Sequence, residues 1–121
     1  MAKDMQISFL LDFYGNMLTE KQREVIEFYY NDDLSLSEIA ENEGITRQGV
    51  RDAIKRAESQ LLEMENSLGF ARRFREMRIG LEKICEAADR IKEYNSRCGC
   101  AREIDESAKS ILDAAQKLRE Q

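Results

Sequence analysis

The chain has 121 residues, 42% of them apolar and 36% charged, with no proline, tryptophan or histidine and a net charge of −5. That length holds one domain, or a small module with an appendage, and the scarcity of helix breakers favours an almost wholly helical protein. The acidic balance excludes nucleic-acid binding by blanket phosphate neutralisation, so any such contact must come from a local patch.

Residues 3–15 read as a first helix, with Ile7, Leu10, Leu11 and Tyr14 sharing a face and Gly15-Asn16 ending it. Thr19 caps a second helix, Gln22 completes the capping box, and Asn31-Asp32-Asp33 stops it. Tyr14, Phe28, Tyr29 and Tyr30 fall at helical spacing, which makes them core before it makes them a stacking surface. Two helices over 36–43 and 46–67 follow. Ser35 with Glu38 forms a second capping box, and Thr46 is the N-cap of the later helix. Ala40 stands where two helices cross closely, and Gly44 where the turn between them needs positive φ. Val50 packs the second helix back on the first, with Ile39, Ile45 and Ile54 filling the space between. These offsets are those of a helix-turn-helix.

From Val50 the apolar positions continue through Ile54, Ala57, Leu61, Met64 and Leu68 in alternating steps of four and three, a heptad seam. Gly69 interrupts it. Phe70, Phe74, Met77, Leu81, Ile84, Ala88 and Ile91 form a second stripe, residues 95–100 a loop, and Ile104, Ala108, Ile111, Ala115 and Leu118 a third stripe. The reading is all-α: residues 1–68 a helix-turn-helix domain, residues 69–121 a helical extension. Narrow heptad stripes bury little alone, so the expectation for the extension is self-association into a homodimer.

Charge is uneven. Three basic face ten acidic side chains up to residue 45, four face two across residues 46–60, and twelve of each follow. The one basic island is the second motif helix. Around it, Gln48, Arg51, Asp52, Lys55 and Ser59 point outward when Val50 points inward, with Arg47 and Arg56 flanking. The N-terminal residues of such a helix meet base edges in a bound duplex. Gln48 suits adenine, Arg51 guanine, Lys55 and Arg56 phosphates, and the Thr46 hydroxyl a phosphate unless capping consumes it. Asp52 lies mid-face and repels phosphate, and Glu20, Glu24, Asp32 and Asp33 add to that field. A second cluster, Arg72, Arg73, Arg75 and Arg78, offers a grip on RNA or an acidic protein, or else a solvated face with Arg78 paired to Glu82.

Cys85 reads as a small apolar core residue, and Cys98 and Cys100 as free thiols in a turn. Three cysteines without histidine lack the ligand set of a structural zinc site. No glycine-rich phosphate loop or nucleophile signature is present, so the expectation is a non-enzyme with no cofactor and no metal. The opening MAKDMQ has no apolar leader and no run approaches a membrane span, which points to the cytoplasm.

The runs LTEKQREVIEFYY and DLSLSEIA, with ITRQGV after them, resemble the fourth region of housekeeping-type sigma factors and, more closely, the small bacterial YlxM family over residues 10–77. The resemblance implies an all-helical, winged-helix-like or sigma-region-like DNA-binding fold with helical extensions. It also implies a regulatory role in the signal recognition particle pathway, with the particle's protein or RNA as partner, or duplex DNA. A helical protein–protein adaptor is the remaining alternative. Gly49 departs from the usual alanine and should loosen the start of the second motif helix.

Overall fold

The computed structural model describes residues 2–120. Among them it contains six α-helices, one short 3-10 turn and no strand. The helices are α1 (Met5–Tyr14), α2 (Glu20–Tyr30), α3 (Leu36–Glu43), α4 (Arg47–Leu68), α5 (Phe70–Cys98) and α6 (Arg102–Arg119), with the 3-10 turn Gly15–Met17 between α1 and α2. A wing needs a strand pair, so of the two folds implied by the resemblance only the sigma-region-like one is met. The chain divides into two compact units, one up to Ala71 and one from Arg72.

In the N-terminal unit α4 is the central rod, and α1, α2 and α3 all pack on it. Its buried stripe, Val50, Ile54, Ala57 and Leu61, supplies the shared wall. Ala57 and Leu61 close a cluster with Ile7, Leu10, Leu11, Tyr14, Leu18 and Ile26. Val50 and Ile54 close another with Val25, Tyr29, Ile39 and Ala40. The start signals act as the sequence requires. Thr19 with Gln22, and Ser35 with Glu38, form complete capping boxes. Met64 is half-buried and Leu68 exposed, so the heptad seam of α4 is a full core wall only as far as Leu61.

Gly69, at φ 64°, ends α4 and lets α5 start one residue later. A polar clamp closes the end of the N-terminal unit. The Tyr14 hydroxyl donates to Glu65 Oε1 at 2.6 Å and accepts the Phe70 N–H at 3.1 Å, while the Ala71 N–H donates to the same Glu65 oxygen at 3.1 Å. Two of the orphan donors at the start of α5 are satisfied this way. Tyr14 is almost fully buried, and burial, with the Glu65 bond second, raises its pKa above 10.0.

The C-terminal unit is a helical hairpin. Leu81 and Cys85 of α5 pack with Leu112 and Ala115 of α6, and Arg119 Nη2 lies 3.9 Å from Glu82 Oε1. The loop expected over 95–100 is a much tighter turn, because α5 runs on to Cys98. Asn95 makes this possible. Its Nδ2 donates to the Ala101 carbonyl at 2.7 Å, its Oδ1 accepts the Ala101 N–H at 2.9 Å, and its carbonyl accepts the N–H groups of Gly99 and Cys100. One residue thus ties the end of α5, through its carbonyl, to the residue before α6, through its side chain.

Candidate nucleic-acid interface

The turn of the motif is built from the backbone outward. Gly44 adopts φ 68°, its N–H donates to the Ala40 carbonyl, and the Ile45 N–H shares that acceptor at 3.1 Å. Thr46 then caps α4, its Oγ1 accepting the Gly49 N–H at 3.0 Å. That acceptor is therefore spent on the helix start. Ile45 does not fill the space between the motif helices. It is 46% exposed and leans over the first turn of α4, within 3.6 Å of where a Cβ on Gly49 would stand. Val50, Ile54 and Ile39 close the crossing without it. Glu38, bonded by the Ser35 backbone N–H and hydroxyl, is held below the usual carboxylate range.

Along the outward side, Thr46, Arg47, Gln48, Lys55 and Arg56 are exposed. Arg51 is not fully outward. It stands about 100° round the helix from Val50, at the edge of the buried stripe, and is half-buried. Together with Arg47, Gln48 and Leu36 it lines a shallow cleft between the start of α3 and the start of α4. Its Nε is buried and has no hydrogen-bond partner. Gln48 Nε2 donates to Asp52 Oδ1 at 3.0 Å, so the two residues expected to read a base and to repel phosphate engage each other. The acidic field is partly neutralised elsewhere: Lys21 pairs with Glu43 at 2.7 Å, and Lys3 with Asp33. Tyr30 donates to Glu58, which occupies the one other carboxylate on this stretch of α4.

The four arginines after Gly69 do not converge. At 100° per residue Arg72, Arg73, Arg75 and Arg78 spread over more than half the circumference of α5. Arg72 Nε bonds Glu76 Oε1 at 3.2 Å, and the Arg78 guanidinium lies 5.9 Å from the Phe74 ring centre. The Arg78–Glu82 pair is not formed, because Glu82 faces Arg119 across the hairpin. Cys85 is buried, Cys98 and Cys100 are exposed free thiols, and among the described residues no group of three or more His, Cys, Asp or Glu side chains is placed to hold a metal ion.

Residues 1–99 match the family model UPF0122, described as "Putative helix-turn-helix protein, YlxM / p13 like". The chain belongs to this family. It is 44% identical over 105 residues to a UPF0122 protein of Thermoanaerobacter sp. (strain X514), covering 87% of this chain and 90% of that one. It is 51% identical over 80 residues to one from Caldanaerobacter subterraneus subsp. tengcongensis, covering 66% of this chain and 68% of the relative. A relative from Acetivibrio thermocellus is 40% identical over 114 residues, 94% of this chain and 86% of that one. The UPF0122 match takes in all of α1 to α5, whereas α6 lies beyond it. None of the described helices is long and apolar enough to cross a membrane.

Proposed function

We propose that this UPF0122 chain is a non-catalytic regulatory protein that binds nucleic acid through the cleft at the start of α4. The signal recognition particle, through its RNA or its protein, is the target that the YlxM resemblance implies. The observation that carries the reading is Arg51. Arg51 is half-buried in a cleft with Arg47 and Gln48 and its Nε finds no partner inside the protein, so its guanidinium is left for an acceptor that enters the cleft, such as a phosphate oxygen at the outer nitrogens. Arg47 and Lys55 flank it as additional cations. Exposed Gln48 at the start of α4 favours duplex DNA as the second reading, provided that it leaves Asp52 to meet a base edge.

The test is binding of the full chain to duplex DNA and to signal recognition particle RNA across a salt series. Four cations on the face limit the logarithmic salt slope to about −3 to −4. Arg51→Glu with Lys55→Glu should abolish retention of the RNA. Survival of binding in that double variant, or a far steeper slope, rules the α4 face out as the contact. Sequence preference among duplexes with no affinity for the RNA decides for the DNA reading.

A further inference from the structure

We propose that Asp52 sets the base preference of the α4 face: it holds Gln48 shut and yields it only to a DNA duplex that brings a base amino group to the carboxylate. The inference rests on the duplex reading of that face and names what the duplex must carry. With Val50 at the buried centre, Gln48 and Asp52 each stand about 160° away, on either side of the outward pole. Arg51 and Lys55 lie on the Gln48 side and Arg56 on the Asp52 side. A helix seated in a major groove turns its pole to the base edges and its flanks to the phosphate backbones. Asp52 therefore faces bases, and the cations beside it face phosphates. Both pole residues are exposed, and Gln48 Nε2 donates to Asp52 Oδ1 at 3.0 Å. Lys55 and Arg56 stand three and four residues further on, yet Asp52 pairs with neither.

The orientation of the amide follows from chemistry. A carboxylate only accepts, so Gln48 must offer its NH2, and that group is then spent. Adenine needs both ends of the amide, Oε1 for N6–H and Nε2 for N7. Gln48 reads adenine only after leaving Asp52. In water the bond is weak, the ordinary strength of a glutamine–aspartate pair one turn apart, and it opens freely. Docking changes the balance. The carboxylate loses its water and must keep a donor or bear an unpaired charge. In the major groove only the amino groups of cytosine (N4) and adenine (N6) donate, whereas guanine O6 and N7 and thymine O4 turn lone pairs to it. Cytosine is the better donor, because adenine sets N7 beside its amine. Asp52 lies one turn, about 6 Å, along α4 from Gln48, a span of roughly one to two base pairs. The two positions are thus coupled: an adenine opposite Gln48 counts only when an amine lies opposite Asp52. An A-form RNA duplex closes its major groove to side chains, so the coupling belongs to DNA.

Selection of duplexes from a random-sequence pool by the full chain, followed by titration of single-base variants, tests it. For the wild-type chain adenine should be preferred about tenfold, the scale of one good base contact, when cytosine occupies the second position, and hardly at all when guanine or thymine does. Asp52→Ala frees Gln48. It should hold the adenine preference at about tenfold whatever the neighbour, and bind every duplex more tightly because a carboxylate is gone. Asp52→Asn keeps the size but can turn either a donor or an acceptor outward, and should remove the preference for cytosine over guanine. Gln48→Ala should lose the adenine preference and keep the cytosine one. Both side chains are exposed, so the helical circular dichroism signal should not change in any variant. An adenine preference in the wild type that ignores the second position, or one that Asp52→Ala leaves equally dependent on it, overturns the inference while the duplex reading stands. A chain that retains no duplex overturns both.

Discussion

The two units use the same heptad spacing for opposite ends. In the N-terminal unit the stripe of α4 puts its large residues inward, and Val50, Ile54 and Leu61 have no exposed surface. In the C-terminal hairpin the inward line is mostly alanine, and the large aliphatic residues are left half exposed. The difference follows from the number of neighbours. Three helices surround α4 and cover a wide stripe, whereas a lone hairpin covers one narrow line on each helix. A heptad pattern therefore states that a face will be covered, without stating by what.

The largest expected effect separates the units directly. Leu61→Ala removes a fully buried side chain among α1, α2 and α4, and should lower stability by about 2–5 kcal/mol in a denaturant titration. Ile111→Ala, at a side chain left half exposed in the hairpin, should cost much less. Equal losses at both sites would erase the contrast.

Next in size is the clamp that ends the N-terminal unit. Tyr14→Phe keeps the ring in its cluster but deprives Glu65 and the Phe70 N–H of a partner, and should cost about 1–3 kcal/mol. Its pH dependence gives a second check. The folded-state pKa of Tyr14 is raised, so its contribution is complete below 10.0 and fades as pH rises through the folded value. The phenylalanine variant should lose stability less steeply than the parent above pH 10.0. At the acid end the sign reverses: Glu38 is held below its ordinary value of 4.5, so its support of α3 is present above that pH and fades as pH falls through the folded value. Glu38→Gln should flatten that acid limb of a stability–pH curve.

These sites also mark what the sequence discloses. Ser35, Thr19, Thr46, Gly44 and Gly69 act within four residues of themselves, so their roles are legible from spacing alone. The Tyr14–Glu65 bond joins residues 51 apart in the chain, and no local pattern announces it. Asn95 looked like a loop residue because asparagine disfavours helix interiors. Its two bonds to Ala101 depend on α6 turning back at once. At 100° per residue Arg51 stands at the edge of the buried stripe, short of the outward face given by Gln48, Lys55 and Ser59. Its half-burial comes from Leu36 across the cleft, which belongs to another helix. The motif offsets suit Ile45 to the space between the helices, but its place after the left-handed Gly44 carries it to the rim.

The smallest expected effect concerns the first turn of α4. Sigma-like motifs carry alanine where Gly49 stands, and a glycine inside a helix costs up to about 1 kcal/mol relative to alanine. A Cβ at this position would lie 3.3 Å from Thr46 Oγ1 and 3.6 Å from Ile45 Cδ1. The first distance is tight, and that oxygen is held in place by the Gly49 N–H it caps. The second is ordinary contact with an exposed side chain that is free to shift. Gly49→Ala should therefore stabilise the N-terminal unit by less than the full propensity difference, because the cap must yield a few tenths of an ångström. Thermal melts of Gly49→Ala, Thr46→Ala and the pair separate the two terms. If the cap resists the new methyl group, the gain from Gly49→Ala should be larger in the Thr46→Ala background than in the parent chain. Equal gains in both backgrounds would show that the cap yields without cost, and that glycine here only loosens the turn that presents Arg47 and Arg51.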